Sequence, residues 1–142
     1  MSGIYSIFET LDRGDINKNI QGGVPTGYEG HHLISVKVAQ QYDVMNYAAN
    51  NLNYDINRGN NGIALPGTKP ESLATGLPYH GGRHKRIYDN FLKAKLDRLE
   101  RDFQAGLLND NQIEDRITRI EDEMRSDLLN DNIRLQGNDP RP

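Results

Sequence analysis

The chain has 142 residues, 35% of them hydrophobic and 26% charged, with a formal net charge of −3 and no cysteine. That length suits one domain with a modest core; no apolar run approaches the roughly 20 residues of a membrane-spanning helix; and without thiols any metal must be held by imidazole or oxygen ligands. The charge is unevenly spread: Arg83, Lys85, Arg86, Lys93, Lys95, Arg98 and Arg101 face only Asp89, Asp97 and Glu100, whereas from Asp102 onward ten acidic residues stand against five arginines. A nucleic-acid partner is therefore compatible with the net acidity, because the cations that displace counterions are clustered in one segment.

In chain order, residues 1–26 are Gly-rich and weakly patterned and read as an entry segment or junction. A short extended piece follows at Gly30-His31-His32-Leu33-Ile34, then Ser35 as the N-cap of a helix through Gln41, then a second short helix over Met45 to Leu52. Asn60-Asn61-Gly62 is a turn signal ahead of a brief strand, Ile63-Ala64-Leu65-Pro66, and 67–78 reads as a loop. Beyond His80, the apolar residues Tyr88, Leu92, Leu96, Leu99 and Phe103 recur at helical spacing until Gly106. A cap at Asn109 or Asp110 opens a second helix with Ile113, Ile117, Ile120, Met124 and Leu128 on one face. The two stripes are expected to close on each other as an antiparallel hairpin, with residues 137–142 a disordered tail.

All four histidines fall into two pairs, His31 with His32 and His80 with His84. On a helical turn the second spacing puts two imidazoles on one face, able to offer two nitrogen ligands to one ion. Gly81 and Gly82 between them are poor helix formers, costing roughly 1 kcal/mol each against alanine, and a close approach of backbone to phosphate or metal would account for them. Each pair alone is unremarkable as exposed loop or helix-start chemistry. Both together, with an asparagine turn and a short strand between them, form a constellation.

Glu29-Gly30-His31-His32, then Asn61-Gly62-Ile63-Ala64-Leu65-Pro66, then His80-Gly81-Gly82-Arg83-His84 with Tyr88 beyond, resemble the AHH/GHH branch of the HNH (ββα-metal) nuclease superfamily. That branch occurs as toxin domains of bacterial polymorphic and type VI secretion effectors, and the order of parts is similar to that of colicin-type DNases. The likeness spans about Gly27 to Leu99. It implies an α+β, mostly helical fold with a ββα-metal core at 27–106, formed by a two-stranded ribbon plus helix. Short helices are inserted in the 28 residues between His32 and Asn61, and a C-terminal hairpin helix follows at 107–136.

The resemblance further implies that His31, His80 and His84 hold one divalent ion (Zn, Mg, Mn or Ni), leaving a position open for phosphate or water. His32 would be the general base, since adjacent residues on an extended segment point to opposite sides. Asn61, with Asn60 as its competitor, would brace the loop carrying the base, and Glu29 would orient the base imidazole. Arg83, Lys85 and Arg86 are candidate phosphate clamps. With an ordinary imidazole pKa near 6.5, activity is expected to fall in mild acid. The expected function is a metal-dependent DNA endonuclease without sequence specificity that acts as an antibacterial toxin, with a cognate immunity protein and a larger effector or secretion component as partners and no membrane. It would be exported by a specialised system to act in the target-cell cytoplasm. A non-catalytic, zinc-stabilised protein-binding module is the alternative, and it gives His32 no role.

Overall fold

The computed structural model describes residues 14–81 and 86–142. In chain order these form α1 (Gly14–Asn19), β1 (Tyr28–His32), α2 (Val36–Ala39), α3 (Asp43–Asn51), a 3-10 turn (Gly59–Asn61), β2 (Gly62–Pro66), α4 (Lys69–Thr75), α5 (Arg86–Gln104) and α6 (Asp110–Leu129). The fold is mostly helical around one two-stranded sheet, the α+β, ββα-type architecture expected from the sequence.

The ribbon is antiparallel, with Tyr28 opposite Pro66, Gly30 opposite Ala64, His31 opposite Ile63 and His32 opposite Gly62. Because side chains alternate along a strand, Glu29, His31, Ile63 and Leu65 share one face and Gly30, His32, Gly62 and Ala64 the other. The second face is covered by α1, which stands where the sequence suggested only an entry segment. Its Ile16 is fully buried and Ile20, just beyond it, is largely so, an i, i+4 pair too short to register as a periodic stripe. The approach needs glycine on the ribbon: a Cβ on Gly62 would lie 2.6 Å from Ile20 and 3.0 Å from Ile16.

Between the strands, Ser35 caps α2 by accepting from the Val38 amide, and α3 follows. The span 67–78, expected to be a loop, contains α4. Thr68 accepts from the Glu71 amide, Pro70 lies in the first turn, and Gly76 closes the helix in the left-handed region at φ 73°, which glycine adopts without strain. Those signals were present in the sequence but cover too few apolar positions to show a period.

The long helices α5 and α6 run antiparallel, since Lys95 reaches Glu123 at 3.0 Å while Arg116 reaches Asp102 at 3.1 Å. Asn109 caps α6 in a reciprocal capping box with Gln112, satisfying two helix-end donors. The apolar stripes Tyr88, Leu92, Leu96, Leu99 and Ile113, Ile117, Ile120, Met124, Leu128 are buried together with Leu33, Ile34, Val38, Val44, Met45, Ile56 and Leu65 in one core. Ribbon, inserted helices and hairpin are thus one hydrophobic unit.

The final segment is packed rather than frayed. The Asp139 side chain is 1% exposed and accepts from Arg141 at 2.8 Å and from the Tyr79 amide at 3.2 Å, while Arg141 also donates to the Gly76 carbonyl at 2.9 Å. The Arg141–Asp139 pair ties down a short polar sequence that does not advertise its order.

A polar cluster joins the inter-strand segment to α6. Glu121 is fully buried and accepts from Arg58 at 2.5 and 3.1 Å, from the Tyr54 hydroxyl at 2.9 Å and from Asn60 at 2.9 Å. Arg58 also stacks over the Tyr54 ring, and burial together with the Glu121 charge holds the Tyr54 phenol far above its ordinary range. Arg58→Met leaves a buried carboxylate without its cation. We expect a loss of about 2–3 kcal/mol in urea denaturation, somewhat less than the roughly 3–5 kcal/mol of a fully buried broken pair because Arg58 is itself partly exposed. Lys95→Met, at the hairpin rim, should cost less than about 1 kcal/mol.

Candidate active site

β1 delivers its two histidines to different surroundings. His31 is buried on the ribbon face that meets α5. Its ring stands edge-on to Tyr88, with centroids 5.4 Å apart and planes at 72°, and its Nε2 lies 3.2 Å from the Tyr88 hydroxyl. That hydroxyl donates its single proton to the Leu33 carbonyl at 2.7 Å. It therefore accepts from His31 Nε2–H, which leaves Nδ1 of a neutral His31 as the lone-pair nitrogen. Burial, reinforced by Asp89 and Asp127, drives the Tyr88 phenol far above its ordinary range, so it remains a donor.

His80 completes this side. It lies in the irregular stretch before α5, not on a helical turn, and its amide donates to Pro66 O at 2.9 Å, continuing the ribbon's hydrogen bonding. Its ring centroid is 5.2 Å from that of His31. Glu29 Oε1 approaches His80 Nδ1 at 3.4 Å, so the carboxylate expected beside His32 stands beside His80 instead. Strand parity is the cause: Glu29 and His31 are two residues apart and share a face, whereas Glu29 and His32 are three apart and cannot.

His32 turns toward the inter-strand segment. It is 6% exposed, and its Nε2 lies 2.7 Å from the side-chain carbonyl of Asn57. Asn57 is also buried, its backbone carbonyl accepting from Asn19 Nδ2 at 2.7 Å and its backbone amide donating to Asp55 at 2.9 Å. Asn61, fully buried, accepts from the Ile34 amide at 2.8 Å and donates to the carbonyls of Ile34 at 3.0 Å and Ile56 at 2.9 Å. Its backbone carbonyl accepts from the Leu33 amide at 2.8 Å. One side chain thus ties the exit of β1 to the approach to β2. Asn60, its competitor in the sequence, is exposed and bonded to Glu121 and Asp122.

Among the described residues no three metal-capable side chains converge in a geometry that would hold an ion. What the structure brings together is two buried imidazoles with a carboxylate at one of them, a donor set that suits a borderline divalent ion completed by a further ligand. His84 lies outside the described residues, as do Arg83 and Lys85; Arg86, the first residue of α5, is exposed.

Two contributors escaped the sequence reading. Tyr88 was legible as a stripe residue and as part of the family pattern, but without a role for its hydroxyl, whose partners lie 55 and 57 positions away. Asn57 carries no spacing signal at all, standing 25 positions from His32.

A family model described as a nuclease family of the HNH/ENDO VII superfamily with conserved AHH matches residues 14–124. The chain has Gly30 where that triplet has alanine; a Cβ there would stand 1.9 Å from the Asn17 side-chain oxygen, so α1 would have to adjust. No curated protein and no solved structure matches the chain.

The tail bears on this site because Asp139 holds Tyr79, the neighbour of His80. Burial alone would raise the Asp139 pKa, but hydrogen bonds from Arg141 and from the Arg141 and Tyr79 amides outweigh it and bring the group below its ordinary value. A carboxylate depressed in the folded state stabilises fully above its unfolded value and loses that contribution as pH falls through the folded one. The Tyr79 amide shift should therefore stay constant from neutrality down to about pH 4 and move only below it. An amide shift titrating well above that value would show that the Asp139 clasp is not what holds Tyr79.

Proposed function

We propose that this chain, which belongs to the AHH nuclease family of the HNH/ENDO VII superfamily, cuts DNA internally by metal-dependent hydrolysis and serves as an antibacterial toxin domain. The observation that carries the reading is the division of labour on β1. His31 joins His80 on one ribbon face, while His32, one residue on, is held apart from both by Asn57. A structural metal site would have no use for that separation, whereas a nuclease needs an imidazole that stays off the ion.

His31 and His80, with His84, are the residues that would hold a divalent ion. When bound, the ion supplies Lewis-acid stabilisation of the charge that builds on the phosphate and leaving oxygen. His32 takes a proton from the attacking water, and Asn61 keeps the backbone on either side of the ribbon from shifting the base. The exposed Arg86, Arg98 and Arg101 of α5 give the phosphate backbone a cationic approach. On the same helix, Asp97 and Glu100 accept hydrogen bonds from the Tyr42 hydroxyl at 2.7 Å and the Val44 amide at 2.9 Å. The toxin role, with an immunity protein and a delivering effector as partners, rests on the resemblance carried by Glu29–His32, Asn61–Pro66 and His80–His84.

Supercoiled plasmid, incubated with the protein in EDTA, Mg, Mn, Zn or Ni beside an RNA of similar length, tests the activity. The expected outcome is metal-dependent nicking and linearisation of the plasmid. His32→Ala should lower cleavage by at least about 100-fold with the calorimetric metal isotherm retained, whereas His80→Ala should weaken both. Loss of metal binding in His32→Ala would move His32 into the ligand set. Tightly controlled expression in bacteria tests the biological role, with wild type expected to kill and His32→Ala to be tolerated; equal growth with soluble protein and intact chromosomes in both would remove it.

A further inference from the structure

His32 can act as a base only through a ring nitrogen that carries a lone pair, and in a neutral imidazole only one of the two does. Which one is set by what the other nitrogen meets. At Nε2, 2.7 Å away, His32 meets the side-chain oxygen of Asn57, a group that accepts and cannot donate. We propose that Asn57 is a positioning residue of the nuclease reaction, locking His32 in the Nε2–H tautomer so that Nδ1 is the nitrogen that receives the proton of water. This rests on the reading of His32 as the general base.

Asn57 is built to hold that orientation. It is 3% exposed, and its backbone is gripped on both sides: the carbonyl by Asn19 at the end of α1, and the amide by Asp55. The next residue, Arg58, is anchored in the buried carboxylate of Glu121 on α6. Four positions along the chain, Asn61 binds the Ile56 carbonyl that precedes Asn57. The acceptor therefore sits on a short segment fixed at three points to α1, α6 and the ribbon, none of them His32 itself. A neutral amide at this place selects the tautomer by hydrogen bonding, without a carboxylate's charge. This separates it from the Glu29–His80 pair on the opposite ribbon face.

The test reads the tautomer directly. In the metal-free 142-residue chain labelled with ¹⁵N-histidine and held at about pH 8.5, where imidazoles are neutral, His32 is identified by the resonance that His32→Ala removes. The expected spectrum shows its Nε2 protonated and Nδ1 unprotonated. Asn57→Leu should convert it to a mixture of tautomers and lower kcat by about 100-fold, with KM and metal affinity within threefold of wild type. Asn57→Asp, which keeps an acceptor at the same place, should keep the Nε2–H signature and retain activity within about tenfold. A wild-type His32 protonated at Nδ1 would overturn the proposal, as would an unchanged tautomer and kcat in Asn57→Leu. Should that variant fail to fold, the wild-type spectrum and Asn57→Asp still decide: loss of the signature or of more than about 100-fold in kcat in Asn57→Asp counts against it. Full cleavage by His32→Ala would instead remove the base assignment, and the catalytic half of the proposal with it, while the spectrum reports separately on the lock.

Discussion

Successive side chains of an extended strand point to opposite sides of the sheet, and in β1 that alternation separates two adjacent imidazoles into two environments. His31 falls on the face where α5 supplies Tyr88 and the pre-helix stretch supplies His80; His32 falls on the face where α1 and the inter-strand segment close over it. A single-residue slip of the ribbon would exchange the two, placing His32 beside Tyr88 and His80, and His31 against Asn57. The register is held by features outside the histidines. Glycines at 30 and 62 admit α1 on one face only, and the bidentate grip of Asn61 on Ile34, together with its bond to Ile56, fixes where both strands begin and end.

The helices beyond the ribbon are part of that register. Leu92, Leu96 and Leu99 of α5 and Ile117, Ile120 and Met124 of α6 share a core with Leu33 and Ile34, the residues that follow the two histidines. Glu121, buried in α6, draws Tyr54, Arg58 and Asn60 toward the hairpin. The acidic C-terminal half, which first looks unsuited to a nucleic-acid enzyme, thereby places one of its carboxylates against the segment beside His32. At the other end of the chain the Asp139–Arg141 clasp serves the His80 side through Tyr79. Both histidine environments thus depend on residues late in the sequence, and deleting the hairpin would expose the core as well as release the loop.

Much of this was legible from local pattern. The two long helices, the capping of α2 by Ser35, the turn before β2 and the pairing of the histidines each depend on residues within a few positions of one another, and local periodicity or turn chemistry reports such things directly. The chain alone therefore determined an α+β ribbon-and-helix fold and its nuclease family, and it set out the two pairs of histidines. Short elements were hidden because α1 and α4 expose too few apolar residues to show a period, and the tail because its order comes from ion pairs rather than burial.

What only the tertiary structure decided is which group stands against which histidine. Strand parity already forbids Glu29 from reaching His32 once 28–32 is known to be extended, but no local rule names the replacement. Asn57 meets His32 across 25 residues, Tyr88 meets His31 across 57, and Asp139 reaches Tyr79 across 60. Hydrogen bonds of that separation are set by how the core packs, which sums over many side chains at once. A sequence window sees the donors and acceptors singly and cannot see the distance between them.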